Sequence, residues 1–294
     1  MLSEPPLGSS GIRARIARVP LLGRAINRVL QVPSPFFNRN SPAQDALQQM
    51  IERTLRADSQ ALILNIGSRS KQKQRTVNLD IMQNGNADVI GDATFMPFAD
   101  NSFDLIVNIA VMEHTRLPHL IAAECHRVLK PGGKIFCAIP FFQMYHPDPI
   151  DMQRYTVMGI ANLFKDFSPL EGGVEVGPAS AMSLTLREFL AILFSFNVNV
   201  LYNLFQVFFG YVTYPIKFLD YFLVRNKFAF MIACSVYFIG EKPFSSGRTQ
   251  SGSTPRHTDG ASVRCCRTSS GGTPQAHDPA NPRPVDGYDE RDGL

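Results

Sequence analysis

Apolar residues follow two rhythms along the chain. Between residues 45 and 180, short apolar runs recur: Ala61-Leu-Ile-Leu-Asn-Ile66, Thr76-Val-Asn-Leu-Asp80, Ala87-Asp-Val-Ile90, Phe103-Asp-Leu-Ile-Val-Asn108 and Lys134-Ile-Phe-Cys-Ala-Ile139. Each is too short for a helix and too apolar for a strand with one wet face, so each reads as a strand buried on both sides. Helical spacing lies between them, over 44–56 and over 117–129, where Leu120, Ile121, Cys125 and Val128 share a side. Alternation of this kind predicts an α/β fold, a Rossmann-like and mostly parallel sheet covered on both faces. Residues 231–239 return to strand character and read as the last strand of the same sheet.

The second rhythm is a long uncharged interval, residues 189–216, set within a helical insertion expected over about 184–230. It is long enough to cross a bilayer, which takes about 20 residues in helix. A strand that returns to the same sheet needs an even number of crossings, and 189–224 falls short of the roughly 40 residues two spans would take. Ser195, Asn199, Asn203 and Gln206 also form a polar stripe. An interfacial or re-entrant helical hairpin fits this pattern; a homodimer interface or a core subdomain is the alternative.

Charge changes the picture only at the start of the chain. The net charge is +4, yet residues 1–44 hold Arg13, Arg15, Arg18, Arg24, Arg28 and Arg39 against Glu4 alone. The rest is nearly neutral, which argues against nucleic acid as a partner. Ile16, Val19, Leu22, Ile26 and Leu30 recur at helical steps among those arginines, with an interruption at Pro20. This basic amphipathic segment suits an anionic membrane surface; packing on the protein's own body, or an organelle transit peptide, would also explain it. The five cysteines show no metal-ligand spacing, so neither a disulfide framework nor a structural zinc is expected. With no secretory pattern at the start of the sequence, the expected location is cytoplasmic, peripheral on the inner face of a membrane. Residues 45–243 then form the main domain. Residues 244–294, rich in Gly, Ser, Thr and Pro, read as a disordered tail with a Cys265–Cys266 pair.

An open parallel sheet binds its ligand at the carboxyl ends of its strands. Gly67 follows the first strand, Asp80 ends the second, Gly91-Asp92-Ala93 follows the third, and Asn108 with Met112-Glu-His114 follows the fourth. A glycine lets backbone approach a ligand. One carboxylate can accept from both ribose hydroxyls and a second from an adenine amino group. The order suits an adenosine ligand, although a strand-end Asp taken singly is more often a helix cap.

Residues 60–167 resemble the type 11 branch of the class I S-adenosylmethionine-dependent methyltransferases. The resemblance is carried by Leu62-Ile-Leu-Asn-Ile-Gly-Ser68, Val77-Asn-Leu-Asp80, Gly91-Asp-Ala-Thr-Phe-Met-Pro-Phe-Ala-Asp-Asn-Ser-Phe-Asp104, Asn108-Ile-Ala-Val-Met-Glu-His114 and Arg127-Val-Leu-Lys-Pro-Gly-Gly133. It implies seven strands with the last antiparallel, and S-adenosyl-L-methionine as cofactor. It places Asn65, Gly67, Ser68 and Asn108 near the methionine end, Asp80 on the ribose, and Asp92 with Ala93 beside the adenine. The first loop departs from the family's glycine-rich pattern, with Arg69 and Lys71 where small residues are usual, and it is short for a full crossover helix.

Methyl transfer needs an acceptor held about 3 Å from the methyl carbon and, for a hydroxyl, a group that takes its proton. The candidates follow the fifth strand, in His146-Pro-Asp-Pro-Ile-Asp-Met-Gln-Arg-Tyr155. His146 is the expected base. Asp148 or Asp151 would orient it, and Arg154 would pair with an anionic acceptor or with Asp151. A structural Asp151–Arg154 pair at a helix capped by Thr156 is the competing reading. A metal on His146, Asp148 and Asp151 is set aside, and Glu113 and His114 are expected only to shape the exit of the fourth strand. A similar run occurs in methyltransferases encoded beside glycan-assembly enzymes, which suggests a glycan or lipid-linked small-molecule acceptor. The alternative function is a catalytically silent relative serving as a membrane-associated binding partner. A nicotinamide dehydrogenase is disfavoured because GxGxxG spacing is absent.

Overall fold

The computed structural model describes residues 36, 40–67, 75–82, 86–147 and 150–244, all within one compact unit. The expected N-terminal helix, the first loop from Ser68 through Lys71, Asp148, and the tail with Cys265 and Cys266 lie outside the described residues.

Helix α1 (Pro42–Ala57) leads into β1 (Ile63–Ile66), β2 (Thr76–Asp80), β3 (Val89–Ile90) and β4 (Phe103–Ile109). Then come α2 (Pro118–Val128), β5 (Leu129–Pro140), α3 (Val157–Leu163) and β6 (Ser168–Val176). Helices α4 (Pro178–Ser195), α5 (Asn199–Thr213) and the single turn α6 (Asp220–Leu223) precede β7 (Ser235–Glu241). The seven strands lie in the order β3-β2-β1-β4-β5-β7-β6, and β7 alone runs against its neighbours. The order reverses between β1 and β4, the switch point where such sheets open a crevice.

Both faces are buried at the centre of the sheet, as the apolar runs of β1, β4 and β5 require. One face packs Leu64, Leu79, Ile106 and Ile135 under α2 and α3; the other packs Ile63, Leu105, Val107 and Phe136 against Ala43 and Leu47 of α1. The Lys130-Pro-Gly-Gly133 turn sits inside β5. Leu129 pairs with Phe103, the chain leaves the ladder, and Lys134 rejoins it opposite Leu105. Gly132 makes this excursion at φ +76°, a backbone region that side chains resist.

Strand β6 carries no apolar alternation. It is an edge strand, mostly exposed, holding Pro169 and the Gly172-Gly173 pair, and its pairing with β7 slips twice. The insertion is a helical hairpin that starts at Pro178 rather than near 184. Phe196 and Asn197 turn the chain, both with positive φ. The buried Asp220 carboxylate reaches back to cap α4, accepting the N–H groups of Ala179 and Ser180 at 2.8 and 2.7 Å. Among the described residues, no helix is long and apolar enough to cross a membrane.

Candidate active site

The sheet register sets the rim. Gly67 donates to Leu79 O at 2.9 Å and Gly91 to Asp80 O at 2.9 Å, so Gly67, Asp80 and Asp92 stand at the carboxyl ends of adjacent strands. Gly67 holds φ +82°, and a Cβ there would overlap the Val111 side chain. Asp80 and Asp92 each close a tight turn, accepting from Met82 N–H at 2.9 Å and Thr94 N–H at 2.8 Å. Around them Ile81, Met82, Ile90 and Phe95 are each more than half exposed, an apolar border beside two carboxylates. Ala93 packs inward against the core.

Two expected cofactor residues are otherwise engaged. Asn65 is buried and donates to Asn78 Oδ1 at 3.0 Å. Asn78 donates to Asp88 at 2.6 Å. This chain ties β1 to β2 one residue below the rim, so Asn65 serves the sheet instead of the cofactor position expected for it. Asn108 is fully buried, its Oδ1 facing the Cys137 thiol at 3.7 Å, while its Nδ2 has no partner among the described residues. Burial pushes the Cys137 thiol far above its ordinary range, so it packs in the core.

The segment after β5 crosses back over the exit of β4 and is fastened there. Met152 N–H donates to Glu113 O at 2.8 Å, and Gln153 Nε2 donates to Met112 O and Thr115 O at 3.0 and 2.8 Å. Arg154 forms the knot of this strap. Its guanidinium donates to Gln143 O at 3.0 Å, Met144 O at 2.9 Å and both Asp151 oxygens. Asp151 also accepts from His146 N–H at 2.7 Å. Burial pushes the Asp151 carboxyl up, but Arg154 and that N–H outweigh it and hold it below the carboxylate range. Asp151 therefore positions His146 through its backbone. Arg154 is committed to Asp151 and to carbonyls, so an anionic acceptor would have to compete for it. Thr156 caps α3, accepting Gly159 N–H at 3.0 Å, as the structural reading expected.

Sequence reasoning missed what the strap brings together. Glu113, fully buried, lies beneath His114 and His146, and the Nε2 atom of each imidazole is 3.7 Å from its Oε1. The two rings meet edge to face with centroids 5.2 Å apart. The Glu113 carboxylate raises the pKa of His146 against the opposing effect of burial. Residues 113 and 114 are adjacent in sequence to 112, but 146 reaches them only through the strap, so no local signal announces the trio.

The motif residues between β3 and β5 are mostly architecture. Arg127 donates to Glu124, Asp100, Phe98 O and Met96 O, and Lys130 grips Asp104 at 2.8 Å. The same Asp104 accepts Leu62 N–H at 2.9 Å, pinning the entry of β1.

Residues 44–137 match the family model described as a methyltransferase domain. Over those residues the chain is similar to the type 11 methyltransferase family. The chain is 33% identical over 111 residues to the demethylmenaquinone methyltransferase of Renibacterium salmoninarum, covering 38% of this chain and 40% of that protein. It is 32% identical over 126 residues to the mitochondrial 2-methoxy-6-polyprenyl-1,4-benzoquinol methylase of Bos taurus, covering 40% of this chain and 36% of that one. The chain thus spans less than half the length of these curated relatives. The solved phosphoethanolamine N-methyltransferase 2 of Haemonchus contortus superposes with a TM-score of 0.42 at 15% identity, over 70% of this chain and 55% of that one.

Proposed function

We propose that the protein transfers a methyl group from S-adenosyl-L-methionine to a small acceptor with an apolar tail. The observation that carries this reading is the rim itself: Gly67, Asp80 and Asp92 on neighbouring strand ends at the switch point, with exposed apolar side chains between them. The residues fit the cofactor. Gly67 leaves bare backbone where a Cβ would be obstructed. Asp80 has a carboxylate at the second strand end for a ribose, and Asp92 and Ala93 stand where an adenine edge would lie. The bound cofactor supplies an electrophilic methyl on a sulfonium. The protein's share is to hold an acceptor atom in line with it, which can contribute about 7–11 kcal/mol, and to manage the acceptor's proton at the trio beneath the strap.

The names of the relatives speak of demethylmenaquinone and of a polyprenyl benzoquinol; none of those reported names a glycan. An acceptor with a hydroxylated head and an isoprenoid or other lipid tail suits the apolar hairpin, whose helix α4 touches the strap where Arg187 meets the Met144 sulfur at 3.6 Å. Calorimetry with S-adenosylhomocysteine tests the cofactor reading. Wild-type protein binds, and Asp80→Ala binds at least tenfold more weakly; absence of binding by wild type overturns the methyltransferase activity and leaves a catalytically silent fold.

A further inference from the structure

The trio under the strap is built unlike an acid–base site. Glu113 has lost all its water, yet neither carboxylate oxygen finds a hydrogen-bond donor among the described residues. Leaving a carboxylate so is costly unless a positive charge completes it. The two imidazoles do not supply it by hydrogen bonding, since each Nε2 stops 3.7 Å away. Their other nitrogens explain why. His114 Nδ1 faces Ile150 O at 2.5 Å, and His146 Nδ1 faces Met144 O at 3.1 Å. A backbone carbonyl only accepts, so Nδ1 carries the proton in His114. At His146 the Arg154 Nη2 also lies 3.3 Å from Nδ1, but the hydrogens of Nη2 go to Met144 O and Asp151, so Nδ1 donates there too and each Nε2 is left facing Glu113. Three acceptor atoms from Glu113, His114 and His146 thus converge within 4.8 Å of one another.

Three acceptor atoms brought this close repel unless a positive charge, on an imidazole or on an ion between them, completes the group. Ligands about 2.1 Å from a divalent ion stand roughly 3.0–3.4 Å apart, so the two Nε2–Oε1 separations of 3.7 Å need to close by a few tenths of an ångström, and the widest separation in the trio, up to 4.8 Å, closes by a small turn of the two rings. The tautomers match as well, because imidazoles that bind metal usually donate their second N–H to a carbonyl or carboxylate. We propose that Glu113, His114 and His146 bind one divalent first-row transition ion, and that its open positions take the acceptor's hydroxyl oxygen.

Two imidazoles and one carboxylate form a donor set that leaves coordination positions free. His146 is then a ligand instead of the proton acceptor expected from sequence. The hydroxyl loses its proton because its oxygen sits on a cation, which stabilises the alkoxide or phenolate formed. That proton passes to water, and the acceptor oxygen attacks the methyl carbon as the sulfonium C–S bond breaks. The Arg154–Asp151 knot holds the strap, and with it His146, at ligand distance. The catalytic role of the ion rests on the methyl-transfer reading; the binding of the ion does not.

The test uses the full, untagged chain, stripped with chelator and titrated with Co2+ alone while visible d–d absorption is followed. Wild-type protein takes one ion per chain, with bands of nitrogen and oxygen coordination. Glu113→Gln keeps the shape of the buried side chain and binds at least tenfold more weakly. So does His146→Ala, a second variant at a partly exposed position. S-adenosylhomocysteine binding, measured on all three proteins, reports the folded state. Wild type that binds no stoichiometric Co2+, variants that bind as wild type does, or bands of thiolate coordination overturn the metal site. Failure to bind S-adenosylhomocysteine while Co2+ still binds removes the methyltransferase reading and leaves the metal site standing.

Discussion

Gly67 and Arg127 are single residues on which the rim depends in different ways. At Gly67 a methyl group meets both a left-handed backbone and the Val111 side chain. The backbone alone costs an L-residue about 1–2 kcal/mol. Gly67→Ala is therefore expected to lower stability by about 2 kcal/mol in urea unfolding and to weaken S-adenosylhomocysteine binding at least tenfold. Arg127 touches no ligand, but it satisfies two carboxylates and two carbonyls. Arg127→Ala should cost about 2–3 kcal/mol by the same measurement, with little change in cofactor affinity at temperatures where the variant is folded. At this scale the sequence displayed Gly67, Asp80 and Asp92 plainly, because each follows a recognisable strand. It hid the importance of Glu113: a carboxylate in a loop becomes unusual only when folding removes its water.

Strand β6 shows how an element can be invisible in sequence and still be tightly placed. Its exposed half has no pattern, but its last turn of chain buries Glu175, which accepts from the Ser235 hydroxyl and presents its carbonyl to Ser41 at 2.6 Å. Burial raises the Glu175 pKa against the hydrogen bonds that Ser235 and Gln44 make to its carboxylate. The native state therefore holds the proton to a higher pH than the unfolded chain does. Stability from this group is complete below the unfolded value and is lost as pH rises toward the native one. Glu175→Gln removes that slope, so the variant should gain on wild type in Tm between pH 5 and pH 8; a constant difference across that range would refute it. At the other end of the strap, Thr156→Ala removes the α3 cap and should cost about 1 kcal/mol in denaturant unfolding. Strands β1 and β4 were legible because burial on both faces leaves a nearly continuous apolar run. An edge strand bears no such demand.

Over the whole molecule, apolar surface is distributed very unevenly. The hairpin and the turn α6 expose Phe189, Ile192, Leu193, Phe196, Val200 and Phe222, all of them by more than half, a concentration soluble surfaces seldom carry. Its interior is held by a polar clasp: Glu188 accepts from Tyr202 at 2.6 Å and Gln206 at 3.0 Å. This clasp contains one member of the polar stripe the sequence displayed, and it explains why the hairpin keeps its shape with its outer face uncovered. We propose that this face lies on a membrane, where lipid-tailed acceptors reside. Phe189→Ser, Ile192→Ser and Phe196→Ser combined should abolish flotation with anionic liposomes while leaving S-adenosylhomocysteine binding intact; undiminished flotation would assign the face to another use. The sequence by itself determined the alternating architecture, the rim of acids and the existence of an apolar hairpin, because each is written in local periodicity or in residues beside a strand end. Tertiary structure alone decided the trio of Glu113, His114 and His146, the commitment of Arg154, and the place of β6. Those depend on which distant segments meet and on which polar groups lose their water when they do, and neither is a property of any one stretch of chain.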